Sequence, residues 1–185
     1  MIDPSRRAVF LDRDGTLITE GPQPTPVHGI RLIPGSAAAL AEIASLGMAR
    51  IVVTNQSGIG RGLFSEVDYA AAATELDRLL AVDGASLTAT YYCPHLPDAG
   101  CACRKPATAL YRQAIAQFDL DPAGCWYLGD NFRDIAPALE LGGLGILVRT
   151  GQGPHHEAAA EAAGMAIVDD VATGLGQIAR YLHAL

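Results

Sequence analysis

The sequence has no uninterrupted apolar run long enough to cross a bilayer. Its opening stretch, Met1-Ile2-Asp3-Pro4-Ser5-Arg6-Arg7, lacks the apolar segment of a secretory signal. The expectation is a cytoplasmic chain with no membrane partner. Positive charge is also short: 13 Lys and Arg stand against 20 Asp and Glu, a net charge of −7. Nucleic acid and anionic membranes call for an extended positive field, so neither is an expected partner, and a phosphate site has to be a local cluster of cations. Internal repeats and linkers are missing, and 185 residues fit one domain, 1–185, with a proper core. With 50% hydrophobic and only 18% charged residues, disorder is excluded. Cysteine is scarce, yet three of the four cysteines fall within residues 93–103, which in a reducing compartment favours a metal over a disulfide.

What is present centres on Phe10-Leu11-Asp12-Arg13-Asp14-Gly15-Thr16-Leu17. Ala8 to Leu11 reads as a strand buried on both faces. Side chains two apart on a strand project to one side, so Asp12 and Asp14 are expected to meet in one small volume where the strand ends. Adjacent carboxylates repel unless a cation or proton lies between them. Mg2+ suits the place, because it accepts few carboxylates and leaves positions for water and phosphate oxygens. Gly15 permits a sharp turn after the pair. The chemistry this suggests is phosphoryl transfer, in which one carboxylate attacks phosphorus and its neighbour protonates the leaving oxygen. A solvated strand-to-loop turn is the alternative for this motif taken alone.

Downstream, strands and helices alternate. Ile18 to Arg31 reads as a loop placed to line a substrate pocket, Ala37 to Leu46 as a helix stopped by Gly47, and Ala49 to Val53 as a second strand. That strand runs into Thr54-Asn55-Gln56-Ser57-Gly58-Ile59-Gly60-Arg61-Gly62, whose hydroxyls, amides and backbone N–H groups suit phosphate oxygens. Ser65 and Asp68 form an approximate capping box for a helix that Gly84 ends, and Leu87 to Tyr92 supplies a third strand. Cys93, His95, Cys101 and Cys103 offer three thiolates and one imidazole, a complete tetrahedral set for a structural Zn2+ with no position open for chemistry. Arg104 and Lys105 follow at once, a tethered pair of cations able to neutralise developing charge. A helix over Ala107 to Phe118 leads to a strand at Trp126 to Leu128 and to Gly129-Asp130-Asn131-Phe132-Arg133-Asp134, where Asp130 could complete the Mg2+ shell. Cys125 reads as a plain core residue. Leu144 to Val148, Ala166 to Val168 and a helix from about Ala172 to Leu182 close the chain. This order predicts an α/β fold, a Rossmann-like, mostly parallel sheet with helices on both faces, whose ligands collect at the strand carboxyl ends.

Asp12-Arg13-Asp14-Gly15-Thr16, Thr54-Asn55-Gln56-Ser57-Gly58, Arg104-Lys105-Pro106 and Gly129-Asp130-Asn131-Phe132-Arg133-Asp134 together resemble the four motifs of the haloacid dehalogenase superfamily of aspartate-nucleophile phosphatases. The zinc loop narrows the resemblance to the branch of the heptose bisphosphate and histidinol-phosphate phosphatases, without a large cap domain. The resemblance implies Asp12 as nucleophile and Asp14 as general acid and later base. It implies Mg2+ held by Asp12, the backbone carbonyl of Asp14 and Asp130, with Asn131 or Asp134 close by. Thr54, Asn55 and Lys105 would hold phosphoryl oxygens, and Arg13, Gln56, Ser57, Arg104 and Asn131 would serve substrate binding. Many relatives carry lysine at the position of Asn131. The implied activity is removal of the C7 phosphate of D-glycero-D-manno-heptose 1,7-bisphosphate, a small phosphorylated metabolite, by a monomer. Arg13 and Arg61 are spare cations for its second phosphate. Histidinol phosphate is the rival substrate, with Glu20 as an acidic lip for its amine.

Overall fold

The structure is a computed structural model and describes residues 4–21 and 29–184. The first residues of the N-terminal stretch and half of the expected pocket loop, residues 22–28, therefore lie outside the described residues. Six parallel strands form one sheet in the order β3-β2-β1-β4-β5-β6, with β1 at Ala8–Leu11, β2 at Ala49–Asn55, β3 at Ala89–Cys93, β4 at Trp126–Gly129, β5 at Leu144–Val148 and β6 at Ala166–Val168. The order runs outward in both directions from β1 and β4, so the chain switches direction between these two strands, where a doubly wound sheet opens a crevice at its carboxyl edge.

Alternation along the central strands builds two apolar faces. Val9, Leu11, Val52, Trp126 and Leu128 point to one side and pack under α1 (Ser36–Ser45), α3 (Glu66–Val82) and α8 (Val171–His183) through Leu40, Ile43, Leu76, Leu175 and Ile178. Phe10, Ile51, Val53 and Tyr127 point to the other side and meet Tyr111 and Ala114 of α4 (Ala109–Gln117). Phe10 stacks on Tyr127 at 5.1 Å between ring centroids and meets Tyr111 edge-on at 5.2 Å. Each such buried side chain contributes about 1.5–3 kcal/mol relative to exposure. β1 is buried along its whole length, as its unbroken apolar run requires.

Several element bounds differ from expectation, and β2 runs on past Val53 to Asn55. β3 begins at Ala89, not Leu87: Leu87 packs against the core, but the ladder starts where Ala89 comes level with Ile51. It also runs one residue further, so Cys93, level with Asn55, sits on a strand end. α4 begins at Ala109, because Arg104 to Thr108 are taken up in turns. Ser65 and Asp68 make both bonds of the capping box of α3, and Gly84 follows with φ 74°. Past β4, α2 (Ser57–Gly60) has its counterpart in two short helices, α5 (Phe132–Ile135) and α6 (Pro137–Leu141), before α7 (Glu157–Ala162). Among the described residues no helix is long and apolar enough to cross a membrane.

Candidate active site

β1, β2 and β4 run parallel and adjacent, so the residues that follow them are delivered to one edge. The Asp12 N–H donates to the Leu128 carbonyl at 2.9 Å, which carries the sheet one residue beyond β1. There the chain leaves its extended path: the Arg13 carbonyl accepts from the N–H groups of Leu17 and Ile18 at 2.9 and 3.0 Å, and Gly15 adopts φ 78°. This turn gives the two carboxylates different partners, although both line one small cavity, as strand alternation leads one to expect. Asp12 turns toward Asp130 and Asp134, and ligand atoms of these three lie within 4.8 Å of one another. The Asp14 carboxylate is instead held by Arg13, with Nε at 3.1 Å, and by Gln56 Nε2 at 2.9 Å.

Lys105 closes the acidic cluster from below. Its Nζ donates to Asp12 Oδ1 at 2.7 Å, to the Val53 carbonyl at 2.7 Å and lies 2.8 Å from Asp134 Oδ1, with only 1% of the side chain exposed. Asn55 fixes the backbone of that lysine from both sides: Oδ1 accepts from the Lys105 N–H at 3.0 Å and Nδ2 donates to its carbonyl at 3.3 Å. Three carboxylates against one ammonium leave two negative charges in a buried place. Burial pushes the Asp12 carboxyl up to about 7; Lys105 pulls it down, but Asp134, Asp130 and Asp14 push it up further. Asp130 is pushed up to about 6, again chiefly by burial, against the lowering effect of the Gln152 N–H. Burial disfavours the charge on Lys105, yet Asp12 and Asp134 outweigh it and hold the lysine above its ordinary value. An oxygen-rich pocket short of two positive charges fits a divalent hard cation.

Asp130 is seated by two glycines. A Cβ on Gly15 or on Gly151 would overlap Asp130 Oδ2, and both residues have positive φ, 78° and 57°. The same oxygen accepts from the Gln152 N–H at 2.8 Å, while Thr150 Oγ1 donates to the Gly15 carbonyl at 2.6 Å and pins the two loops together. Gly15→Ala therefore should displace Asp130 and strain the turn at once. The expected result is a loss of about 1–3 kcal/mol of stability together with weaker Mg2+ binding, read from melting temperatures with and without the ion. Equal Mg2+-induced shifts in variant and wild type would remove the cradle from the account.

A cavity of about 100 Å3 opens on these groups, lined by Asp12, Asp14, Thr54, Asn55, Lys105, Asp130 and Asp134, with Glu20, Gln152 and Arg133 at its rim. Glu20 accepts from Gln152 Nε2 at 2.8 Å. Beside it lies a basin of about 350 Å3 that shares Lys105 and Arg133 with the cavity and adds Arg104. Of the two cations expected for a second phosphate, neither is placed for it. Arg13 is 6% exposed and spent on Asp14, and Arg61 is exposed but lines neither hollow. Gln56 and Ser57 do not line the cavity either, and Asn131 Oδ1 caps α5 by accepting from the Arg133 N–H at 3.2 Å. A further hollow of about 380 Å3 at the opposite end of β4 and β5 is lined by apolar side chains such as Trp126, Leu144 and Ile178 and has no titratable group suited to phosphate chemistry.

The four expected zinc ligands come together. Cys103 Sγ lies 3.2 Å from Cys93 Sγ, 3.5 Å from Cys101 Sγ and 3.1 Å from His95 Nδ1, and all four cysteines of the chain are free. Tetrahedral Zn–S bonds of about 2.3 Å imply edges of about 3.8 Å, close to these separations. The thiols shift in opposite directions: burial raises Cys103 to about 12, aided by Cys93 and Cys101, whereas Cys101 falls to about 6, because hydrogen bonds from Cys103, Arg104 and Cys93 overcome the effect of burial. Thiols this close cannot all ionise without a cation among them. Cys125 is a buried core residue as expected, with Sγ donating to the Asp121 carbonyl at 3.3 Å.

No local pattern in the sequence marks the pairing of Lys105 with two carboxylates, or the places of Asp134, Arg133 and Gln152 in the cavity wall. One signal was present: Lys105 is the sole lysine among the 185 residues.

A doubly wound parallel sheet that gathers Asp12, Thr54, Lys105 and Asp130 in one cavity has the form of a HAD-like hydrolase. The HAD-hyrolase-like family profile matches residues 102–174, the part holding Lys105 and Asp130. The D-glycero-beta-D-manno-heptose-1,7-bisphosphate 7-phosphatase of Bordetella bronchiseptica is 38% identical over 149 residues, covering 80% of this chain and 83% of that one. The protein of the same name from Pseudomonas aeruginosa is 34% identical over 169 residues, 91% of this chain and 95% of the relative. The crystal structure of the Bordetella bronchiseptica D,D-heptose 1,7-bisphosphate phosphatase complexed with magnesium and phosphate superposes with a TM-score of 0.88 at 33% identity, covering 95% and 99% of the two chains. This chain belongs to the heptose-1,7-bisphosphate 7-phosphatase family of the HAD-like phosphatases.

Proposed function

We propose that the chain removes the C7 phosphate of D-glycero-D-manno-heptose 1,7-bisphosphate through an aspartyl-phosphate on Asp12. The observation that carries the bisphosphate reading is the pairing of two unlike hollows: an acidic cavity floored by Lys105 and, sharing its wall, a basin bearing Arg104 and Arg133. The C7 phosphate belongs in the first and the C1 phosphate in the second. Both arginines line that basin and would hold the C1 phosphate, and Arg133 makes no side-chain hydrogen bond or ion pair with another described residue.

Mg2+ would be held by the carboxylates of Asp12 and Asp130 and the Asp14 carbonyl, with Asp134 close by, and would offset charge on the phosphoryl oxygens. Lys105 occupies Asp12 Oδ1, which leaves Oδ2 to attack. As the Oδ2–P bond forms, the bond from phosphorus to the C7 oxygen breaks, and the proton of Asp14 passes to that oxygen. Water then attacks phosphorus and gives its proton to Asp14. The P–Oδ2 bond breaks, and inorganic phosphate and heptose 1-phosphate are released. Thr54 and Lys105 hold the transferring group and oppose its growing negative charge.

Zn2+ in the Cys93, His95, Cys101 and Cys103 set would be structural. Gly60 donates its N–H to the Pro94 carbonyl at 2.9 Å, and Lys105 lies two residues beyond Cys103, so this loop joins the phosphate loop to the catalytic lysine. Cys101→Ser should lower both zinc content and melting temperature. Unchanged zinc per chain by elemental analysis would dismiss the site. The reading goes with a cytoplasmic monomer, where thiols stay reduced.

The test is phosphate release from both anomers of heptose 1,7-bisphosphate, histidinol phosphate and a 3′-phosphorylated oligonucleotide. The highest kcat/KM is expected on a heptose bisphosphate. Highest turnover of histidinol phosphate would replace this assignment.

A further inference from the structure

Behind the cavity lies a network that the reaction above leaves unused. Gln56, 1% exposed, gives its amide N–H groups to two acceptors at once, Asp14 Oδ2 at 2.9 Å and Thr54 Oγ1 at 2.9 Å. Oδ2 also accepts from Arg13 Nε, so it is an acceptor, and the NH2 end of the amide is the end that faces it. Gln56 Oε1 is then left buried with no partner, an arrangement that costs stability and is offset by the two bonds at the other end. The Asp14 oxygens are loaded unequally. Oδ2 accepts from Gln56 Nε2 and from Arg13 Nε at 3.1 Å, whereas Oδ1 accepts from Arg13 Nη2 alone, at 3.1 Å. Arg13 is backed by the ring of Tyr69, 5.3 Å from its centroid, and Tyr69 leans on Tyr92 at 4.3 Å. None of Arg13, Gln56 and Tyr69 lines the cavity.

We infer that Gln56 is a positioning residue that couples proton transfer to phosphate binding, fixing Asp14 Oδ2 as the accepting edge and turning the Thr54 hydroxyl proton toward the phosphoryl group. The proton of Asp14 then travels through Oδ1, the lightly loaded oxygen. Because Gln56 already donates to Thr54 Oγ1, the hydroxyl of Thr54 keeps its own hydrogen for a phosphoryl oxygen. Arg13 shares the first task, and Tyr69 holds Arg13 in place.

The inference rests on Asp14 as general acid. Its consequence is selective: an alkoxide leaving group needs a proton, whereas p-nitrophenolate departs as an anion. The ratio kcat/KM(alkyl phosphate) to kcat/KM(p-nitrophenyl phosphate) isolates that need, because both constants report formation of the aspartyl-phosphate and not its hydrolysis. The experiment compares wild type, Gln56→Met, Gln56→Glu and Asp14→Asn, all with Mg2+, using heptose bisphosphate or, should that not be cleaved, the best alkyl phosphate found. Both Gln56 variants are expected to lower the ratio roughly 10- to 100-fold, in the direction of Asp14→Asn. Equal losses on both substrates, or no loss on either, would overturn the positioning role. An unchanged ratio in Asp14→Asn would remove the acid assignment and this inference with it. Failure of heptose bisphosphate alone, with the ratio still falling on another alkyl phosphate, would remove only the substrate.

Discussion

Asp12→Asn is expected to reduce turnover by roughly a thousandfold or more while leaving the metal-free protein at least as stable as wild type. The carboxamide keeps an oxygen for Lys105 Nζ, now 2.7 Å from Oδ1, so packing beneath the site is preserved. It removes one of three negative charges from a place where burial and the neighbouring Asp134 and Asp130 already push the Asp12 carboxyl up to about 7. Loss of nucleophilicity and relief of repulsion come from the same atom, which is the trade expected where function is held against stability. Steady-state turnover and melting temperature without added metal check both halves. Activity near wild type would remove Asp12 as nucleophile. A large fall in melting temperature would mean that the charge of Asp12 supports the fold.

Lys105→Met should act in the opposite sense on stability. With Nζ gone, the side chains of Asp12 and Asp134, 10% and 3% exposed, lose their ammonium and remain buried as unpaired anions. Breaking one side of such a buried pair costs about 3–5 kcal/mol. For a chain of this size that corresponds to a fall in melting temperature of roughly 6–20 °C. Mg2+ at about a hundred times its dissociation constant returns some 2.7 kcal/mol, because it brings charge to the same carboxylates. Turnover should fall about a hundredfold or more even with the ion present, since a fixed donor to the transferring group is lost. Calorimetry with and without Mg2+ decides the matter. A variant as stable as wild type in the absence of the ion would show that the lysine is not needed to balance the acidic cluster.

Much of the fold was legible because it follows from short-range pattern. The runs Ala8–Leu11, Leu144–Val148 and Ala166–Val168 form strands with the expected bounds. The shift of β3 has a physical cause: apolar character marks Leu87 as buried, but pairing with β2 decides where the ladder begins. Backbone positions of the site were legible for a related reason, since parallel strands carry Asp12, Thr54 and Asp130 to one edge wherever their side chains then turn. The side-chain partners were not. Lys105 and Asp12 are 93 residues apart, and nothing local records that they meet. The turn after Leu11 set the Asp14 carboxylate against Arg13 and Gln56, and the seat that Gly15 and Gly151 make for Asp130 exists only once two distant loops are pinned together. The zinc ligands were readable because four donors crowd into eleven residues, 93–103, of one chain segment.

The central claim is that Asp12 itself carries the phosphoryl group between attack and hydrolysis. Quenching the protein during turnover and reducing with borohydride converts an acyl phosphate to an alcohol, so digestion after Arg7 and Arg13 should yield the peptide Ala8–Arg13 with homoserine in place of Asp12. Turnover with that peptide unaltered, or with the modification on another residue, would contradict the account.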